Sequence, residues 1–132
     1  MKKVSLKDKV YAIYDHVDNP KNEVTWYGEK EDYLQASKMG FDVDREFRTH
    51  KHIPRPREIP YTQEAIVVIS GVLEAKVYDD NKNILSTFLL YNGSIGIFYH
   101  GYHGFKSMAD NTIFYEIKHG QFVGVKEDKV YL

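Results

Sequence analysis

The chain is expected to be all-β, a sandwich or barrel built as a single domain. Three observations predict this. From Ala65 onward β-branched and aromatic residues dominate. Their short apolar runs are punctuated by Gly, Asn and Asp at the spacing of successive strands. The chain of 132 residues, 42% hydrophobic and 28% charged, is long enough for one core and too short for two. A compact monomer of 15.4 kDa would expose roughly 7,200 Å² of a surface of about 22,000 Å² in the unfolded chain.

The first forty residues are expected to supply outer strands or a dimer contact. Lys9 to Tyr14 and Tyr33 to Met39 fit a strand or a short helix by periodicity, and the strand reading is preferred. Prolines stand at 20, 54, 56 and 60. Three of them make Ile53 to Tyr61 a stiff surface excursion, because the residue before each proline is extended and proline donates nothing to a ladder. Ala65 to Ser70 is a buried strand running into Gly71. Val72 to Tyr78 alternates Leu73, Ala75 and Val77 against Glu74 and Lys76, one face dry and one wet. Asp79 to Asn83 turns. Ile84 to Leu90 and Ile95 to Tyr99 flank Asn92-Gly93, the dipeptide of a tight hairpin. Tyr102 to Met108 and Thr112 to Lys118 bracket Ala109-Asp110-Asn111 as a further hairpin, and residues 119–132 form an irregular tail.

Several function classes are excluded by composition. Lys and Arg number 18 against 19 Asp and Glu, without the basic excess that neutralises phosphates, so a nucleic-acid partner is not expected. No apolar run suits a membrane span, and Met1 to Val10 is broken by Lys7, Asp8 and Lys9 where a signal peptide is apolar; the expected address is the cytoplasm. The chain has no cysteine, so thiolate chemistry and disulfides are absent. No phosphate-binding glycine loop, Gly-x-Ser-x-Gly elbow or helical His-Glu-x-x-His occurs.

The informative unit is Phe47-Arg48-Thr49-His50-Lys51-His52. On an extended strand, His50 and His52 project from the same face and together suit one metal ion. Glu64 shares parity with Ile66 and Val68 in an otherwise apolar strand, where an unpaired carboxylate would be costly. In Tyr99-His100-Gly101-Tyr102-His103-Gly104-Phe105, Gly101 permits a bend, so one imidazole points inward. His103 is chosen because it starts the next strand with Phe105, and His100 stays open as the alternative. His16 and His119 have no spacing partner and are read as solvated or structurally hydrogen-bonded.

The series His50-Lys51-His52, Glu64 with six residues before Gly71, and Gly93 leading to His103 resembles the two motifs of the cupin superfamily. The resemblance spans roughly residues 45 to 118. It implies a double-stranded β-helix, or jelly-roll, barrel, with residues 1–40 as N-terminal strands or dimer contact. It also implies one divalent transition metal on His50, His52, Glu64 and His103. Phe47 to His52, Thr62-Gln63-Glu64, His103-Gly104-Phe105 and Glu116 to Gly120 further resemble small single-domain cupins encoded among bacterial surface-polysaccharide and sugar-nucleotide genes. The eleven residues between His52 and Glu64 exceed the usual cupin spacing and must loop out.

Three imidazoles and a carboxylate suit Fe, Mn, Ni, Zn or Co. Arg48 shares the parity of the two histidines, and Arg55 and Arg57 on the proline loop are suited to grip an anionic group of the substrate. Glu116, Tyr99 or Tyr102 are the candidate proton-transfer residues. Three functions stay open: a metal-dependent enzyme acting on a small polar substrate such as a sugar or sugar-nucleotide derivative, a non-catalytic sugar-binding domain, and a dimerising β-domain. A homodimer is expected, from the resemblance and from the need to protect sheet edges.

Overall fold

The structure is a computed structural model describing residues 1–18, 22–120 and 124–132; Pro20 and residues 121–123 of the tail lie outside the described residues. It is nearly all β, with ten strands and one helical turn: β1 (Lys2–Leu6), β2 (Lys9–Asp15), β3 (Glu23–Tyr27), β4 (Ala36–Gly40), β5 (Glu64–Ser70), β6 (Val72–Tyr78), β7 (Ile84–Tyr91), β8 (Ile95–Phe98), β9 (Tyr102–Ser107), β10 (Ile113–Lys118) and α1 (Val125–Asp128). All pairings are antiparallel. They form a large sheet in the order β1-β2-β8-β5-β10, a small sheet β7-β6-β9 and a separate hairpin β3-β4.

The main core lies between the large and small sheets. Alternation along β6 turns Leu73, Ala75 and Val77 inward against Ala12, Ile66, Val68, Phe88, Leu90 and Phe98. The opposite face of the large sheet is also dry. There Ile13, Ala65, Ile97 and Tyr99 pack with Tyr27 of the β3-β4 hairpin. That second layer explains why β5 reads as a continuous apolar run instead of alternating. β2, expected on the outside, is an interior strand between β1 and β8, because its Tyr11-Ala12-Ile13 triplet is buried from both sides.

Two expected hairpins are corrected. β7 pairs with β6 while β8 pairs with β2 and β5; likewise β9 pairs with β6 and β10 with β5. The turns at Asn92-Gly93 and Ala109 to Asn111 are therefore corners that carry the chain from one sheet to the other. A turn signal says where a chain reverses, but not which sheet receives the next strand. Of the three turns expected after Gly71, only Asp79 to Asn83 joins hydrogen-bonded neighbours, β6 and β7. There the Asp79 carboxylate accepts from Asn81 N at 2.9 Å, Asn83 N at 2.8 Å and Asn83 Nδ2 at 3.0 Å.

The sheets do not close into a barrel. β9 and β10 end their respective orders with one side open, and Phe47 to His52, expected as a strand, run outside any sheet. Without that strand nothing bridges the two edges.

Asp15 ties the layers together. Its carboxylate accepts from the Tyr27 hydroxyl at 2.6 Å and Lys38 Nζ at 2.9 Å, and pairs with the Met1 amino group at 2.7 Å. Burial pushes its pKa up, but the Met1 amino group, Tyr27 and Lys38 outweigh burial and hold the carboxyl well below the usual carboxylate range. A depressed carboxyl pKa contributes stability above the unfolded value, near pH 4, that is lost as pH falls through the folded value. Acid unfolding followed by circular dichroism is therefore expected to be shallower in Asp15→Asn than in the parent chain below about pH 4. Equal slopes would remove Asp15 from the acid response.

Candidate functional site

One pair of the expected site residues meets. Glu64, the first residue of β5, and His103 on β9 stand 39 positions apart in sequence, and His103 Nε2 lies 2.8 Å from Glu64 Oε1. The register explains the meeting. Glu64 pairs with Phe98 on the inner face of the large sheet, and His103 pairs with Val77 on the inner face of the small one. The Phe98 ring packs on the imidazole at 4.9 Å, and Phe105 flanks it at 5.7 Å.

This is a carboxylate held in an apolar wall. Burial pushes the Glu64 pKa up, but the contact with His103, aided by Lys129 and Lys118, outweighs burial and holds it below its ordinary value. A carboxylate only accepts, so Nε2 is the donor in this contact and Nδ1 is the ring's second nitrogen. That Nδ1 is buried and has no hydrogen-bond partner among the described residues.

His50 and His52 form a second pair. Their rings are 5.3 Å apart at 74°, and His50 Nδ1 lies 3.0 Å from the Arg48 carbonyl oxygen. Both are exposed on irregular chain and make no contact with Glu64 or His103. Among the described residues no group of three or more histidines or carboxylates is gathered closely enough to hold a metal. The four expected ligands thus stand as two pairs, and the site as it is does not fit a four-donor metal centre.

The other expected residues are dispersed. Arg48, Arg55 and Arg57 are exposed on the same irregular segment and form no ion pair among the described residues. Tyr99 is buried in the layer under the β3-β4 hairpin, across the large sheet from Glu64, with its hydroxyl unpartnered among the described residues and its pKa pushed up, first by burial and then by Asp32 and Glu29. Tyr102 pairs with Tyr78, so alternation turns it away from the face that carries His103, and Lys82 lies over its ring at 5.8 Å. Glu116 is brought nearer: it pairs with Ile66 on the inner face of β10, but is exposed and lies 3.6 Å from Lys118 Nζ.

His100 packs against Tyr11 and Tyr61, with burial and Lys9 lowering its pKa. His16 is hydrogen-bonded to Ser94 Oγ at 2.7 Å. Both ring nitrogens of His119 are buried without a partner among the described residues.

Two residues outside the expected set shape the site. Phe98 forms the wall against His103. Gln63 is fully buried, its Oε1 accepting from Leu34 N at 2.8 Å and its Nε2 without a partner among the described residues. The proximity of an apolar run to Gln63 was the available signal. Comparison of the chain with protein-family models, with curated protein sequences and with solved structures found no match.

Proposed function

We propose that this chain is a metal-binding domain of the cupin type, a jelly roll whose Glu64-His103 pair is the buried half of a site acting on a small polar, sugar-like substrate. The observation that carries the reading is the 2.8 Å contact between the two, together with the unpartnered Nδ1 of His103. A carboxylate that orients an imidazole fixes its tautomer and raises the basicity of the second nitrogen, which is the preparation a metal ligand or a general base requires. His50 and His52, held side by side, are the natural complement of that half. A bound Fe, Mn, Ni, Zn or Co ion would supply Lewis acidity to a substrate oxygen.

The test is titration with Ni(II), Zn(II), Mn(II), Co(II) and anaerobic Fe(II), followed by elemental analysis after dialysis. One ion per chain is expected for the parent protein, with Glu64→Gln and His103→Gln each weakening the best-bound metal at least tenfold. The His50→Ala/His52→Ala protein is expected to lose the metal on dialysis. Full stoichiometric retention by that variant would remove the ligand assignment.

A second reading, a sugar-binding domain without catalysis, is favoured by Glu116, a further carboxylate on the inner face, being exposed beside Lys118 and not hydrogen-bonded to His103. Glu116→Gln separates the two. Unchanged turnover with an identified substrate would support catalysis without Glu116, while sugar binding without any turnover would support the second reading.

A further inference from the structure

The open edges of β9 and β10 border one slot. Phe105 of β9 and Phe114 of β10 approach to 6.5 Å between ring centroids across it. The pairing of β10 with β5 turns Phe114, Glu116 and Lys118 to the same side as Val68, Ile66 and Glu64, all three of which are buried. Phe114 nevertheless remains 37% exposed, and on the other face Tyr115 is 64% and Ile117 52% exposed. An edge strand is ordinarily blunted by charge, proline or a covering element, and β10 carries apolar side chains on both faces.

The segment 41–62 has the complementary lack. It enters no sheet, none of its main-chain groups joins a backbone hydrogen bond among the described residues, and nearly all its side chains are exposed. Laid out as a strand, its middle would place Phe47, Thr49, Lys51 and Ile53 on one face and Arg48, His50 and His52 on the other. The single chain consequently exposes 9,896 Å², about 2,700 Å² above the roughly 7,200 Å² of a compact monomer this size. Counted over two chains, a surplus of about 5,400 Å² stands at the upper end of the total area buried by obligate homodimers.

We propose that residues 47–53 of a second copy of this chain add as a strand to the open edge of β9, reciprocally, so that two copies close each other's slots. Each chain offers an unpaired segment and, in β9, an unpaired edge, and a twofold axis satisfies both at once. Eleven residues separate His52 from Glu64, a reach of up to about 36 Å that would also serve the chain's own edge. The start of the segment packs on itself instead. Phe41 packs on Phe47 at 5.0 Å, Arg45 lies over both rings, and Asp44 takes a left-handed φ of 64°. Addition with His50 and His52 on the inner face would bring them from the second copy to Glu64 and His103. This last consequence rests on the metal reading above; the strand exchange does not.

The absence of cysteine allows a direct test. Thr49 and Lys106 would both lie on the outer face of the completed sheet, so T49C chains mixed with K106C chains are treated with a short bis-maleimide and run denatured. A covalent dimer is expected from the mixture, and from the T49C/K106C chain. An internally linked monomer from the double variant would overturn the exchange in favour of closure on the chain's own edge. No link in either format would overturn it outright. In parallel, co-expressed His50→Ala/His52→Ala and Glu64→Gln/His103→Gln chains are expected to hold half the parent metal content in the mixed dimer, where each alone holds none. A covalent dimer from parent-like chains that bind no metal would keep the exchange and reject the metal reading, whereas metal with only internal linkage would do the reverse.

Discussion

Gly101→Ala is expected to cost at least about 3 kcal/mol of folding stability, one of the two largest effects of a single substitution in this chain. Gly101 sits between β8 and β9 with a φ of +70°, a conformation that L side chains rarely adopt. A methyl group there would strike the Tyr78 carbonyl oxygen and come within 2.8 Å of the Tyr11 ring. Backbone on one side and a buried ring on the other leave no direction for relief. Gly104, three residues on in β9, is the control: nothing lies within 4 Å of a Cβ built there. Urea unfolding should therefore separate Gly101→Ala from Gly104→Ala by several kcal/mol. A difference below about 1 kcal/mol would show that the corner relaxes freely. The corner matters to the site because it carries the chain from the large sheet to the small one and so delivers His103 opposite Glu64.

Phe98→Ala is expected to cost about 3–5 kcal/mol, the range for emptying a fully buried phenylalanine site. Phe98 is 1% exposed and packs against Phe88 at 6.4 Å, Phe105 at 5.1 Å and His103 at 4.9 Å between ring centroids. The cavity would open next to the imidazole, so the variant should also loosen the Glu64-His103 contact. Phe98→Leu keeps most of the volume and should cost less than about 2 kcal/mol. The His103 ring resonances should sharpen and shift in Phe98→Ala but not in Phe98→Leu. Equal stability of the two variants would mean that the aromatic wall contributes no more than a generic apolar filling.

Much of the strand inventory was legible because alternation and turn chemistry are local. β6 announced itself through Leu73, Ala75 and Val77, and the Asp79 turn through its Asx geometry. β1 and β3 went unread, since Lys2–Leu6 is mostly polar and β3 exposes Val24 and Trp26, so neither displays a clean apolar face. Glu64 was legible for an energetic reason, as a carboxylate among Ala65, Ile66 and Val68 demands a partner. That the partner met in this chain is His103 required the corner at Gly101. His50 and His52 keep their sequence spacing as a side-by-side pair, but adjacency along the chain could not say where the pair would stand.

The residues alone determined an antiparallel β domain, a cysteine-free chemistry built on imidazole, carboxylate, hydroxyl, ammonium and guanidinium groups, and a buried acid that needed company. Tertiary structure decided which sheet each strand entered, that Tyr99 lies across the sheet from Glu64, and that the β9 and β10 edges stand open. The division has one cause. Side-chain alternation is set by the backbone of each strand alone, whereas sheet order is settled by competition among all strands for the same hydrogen bonds and the same dry interior.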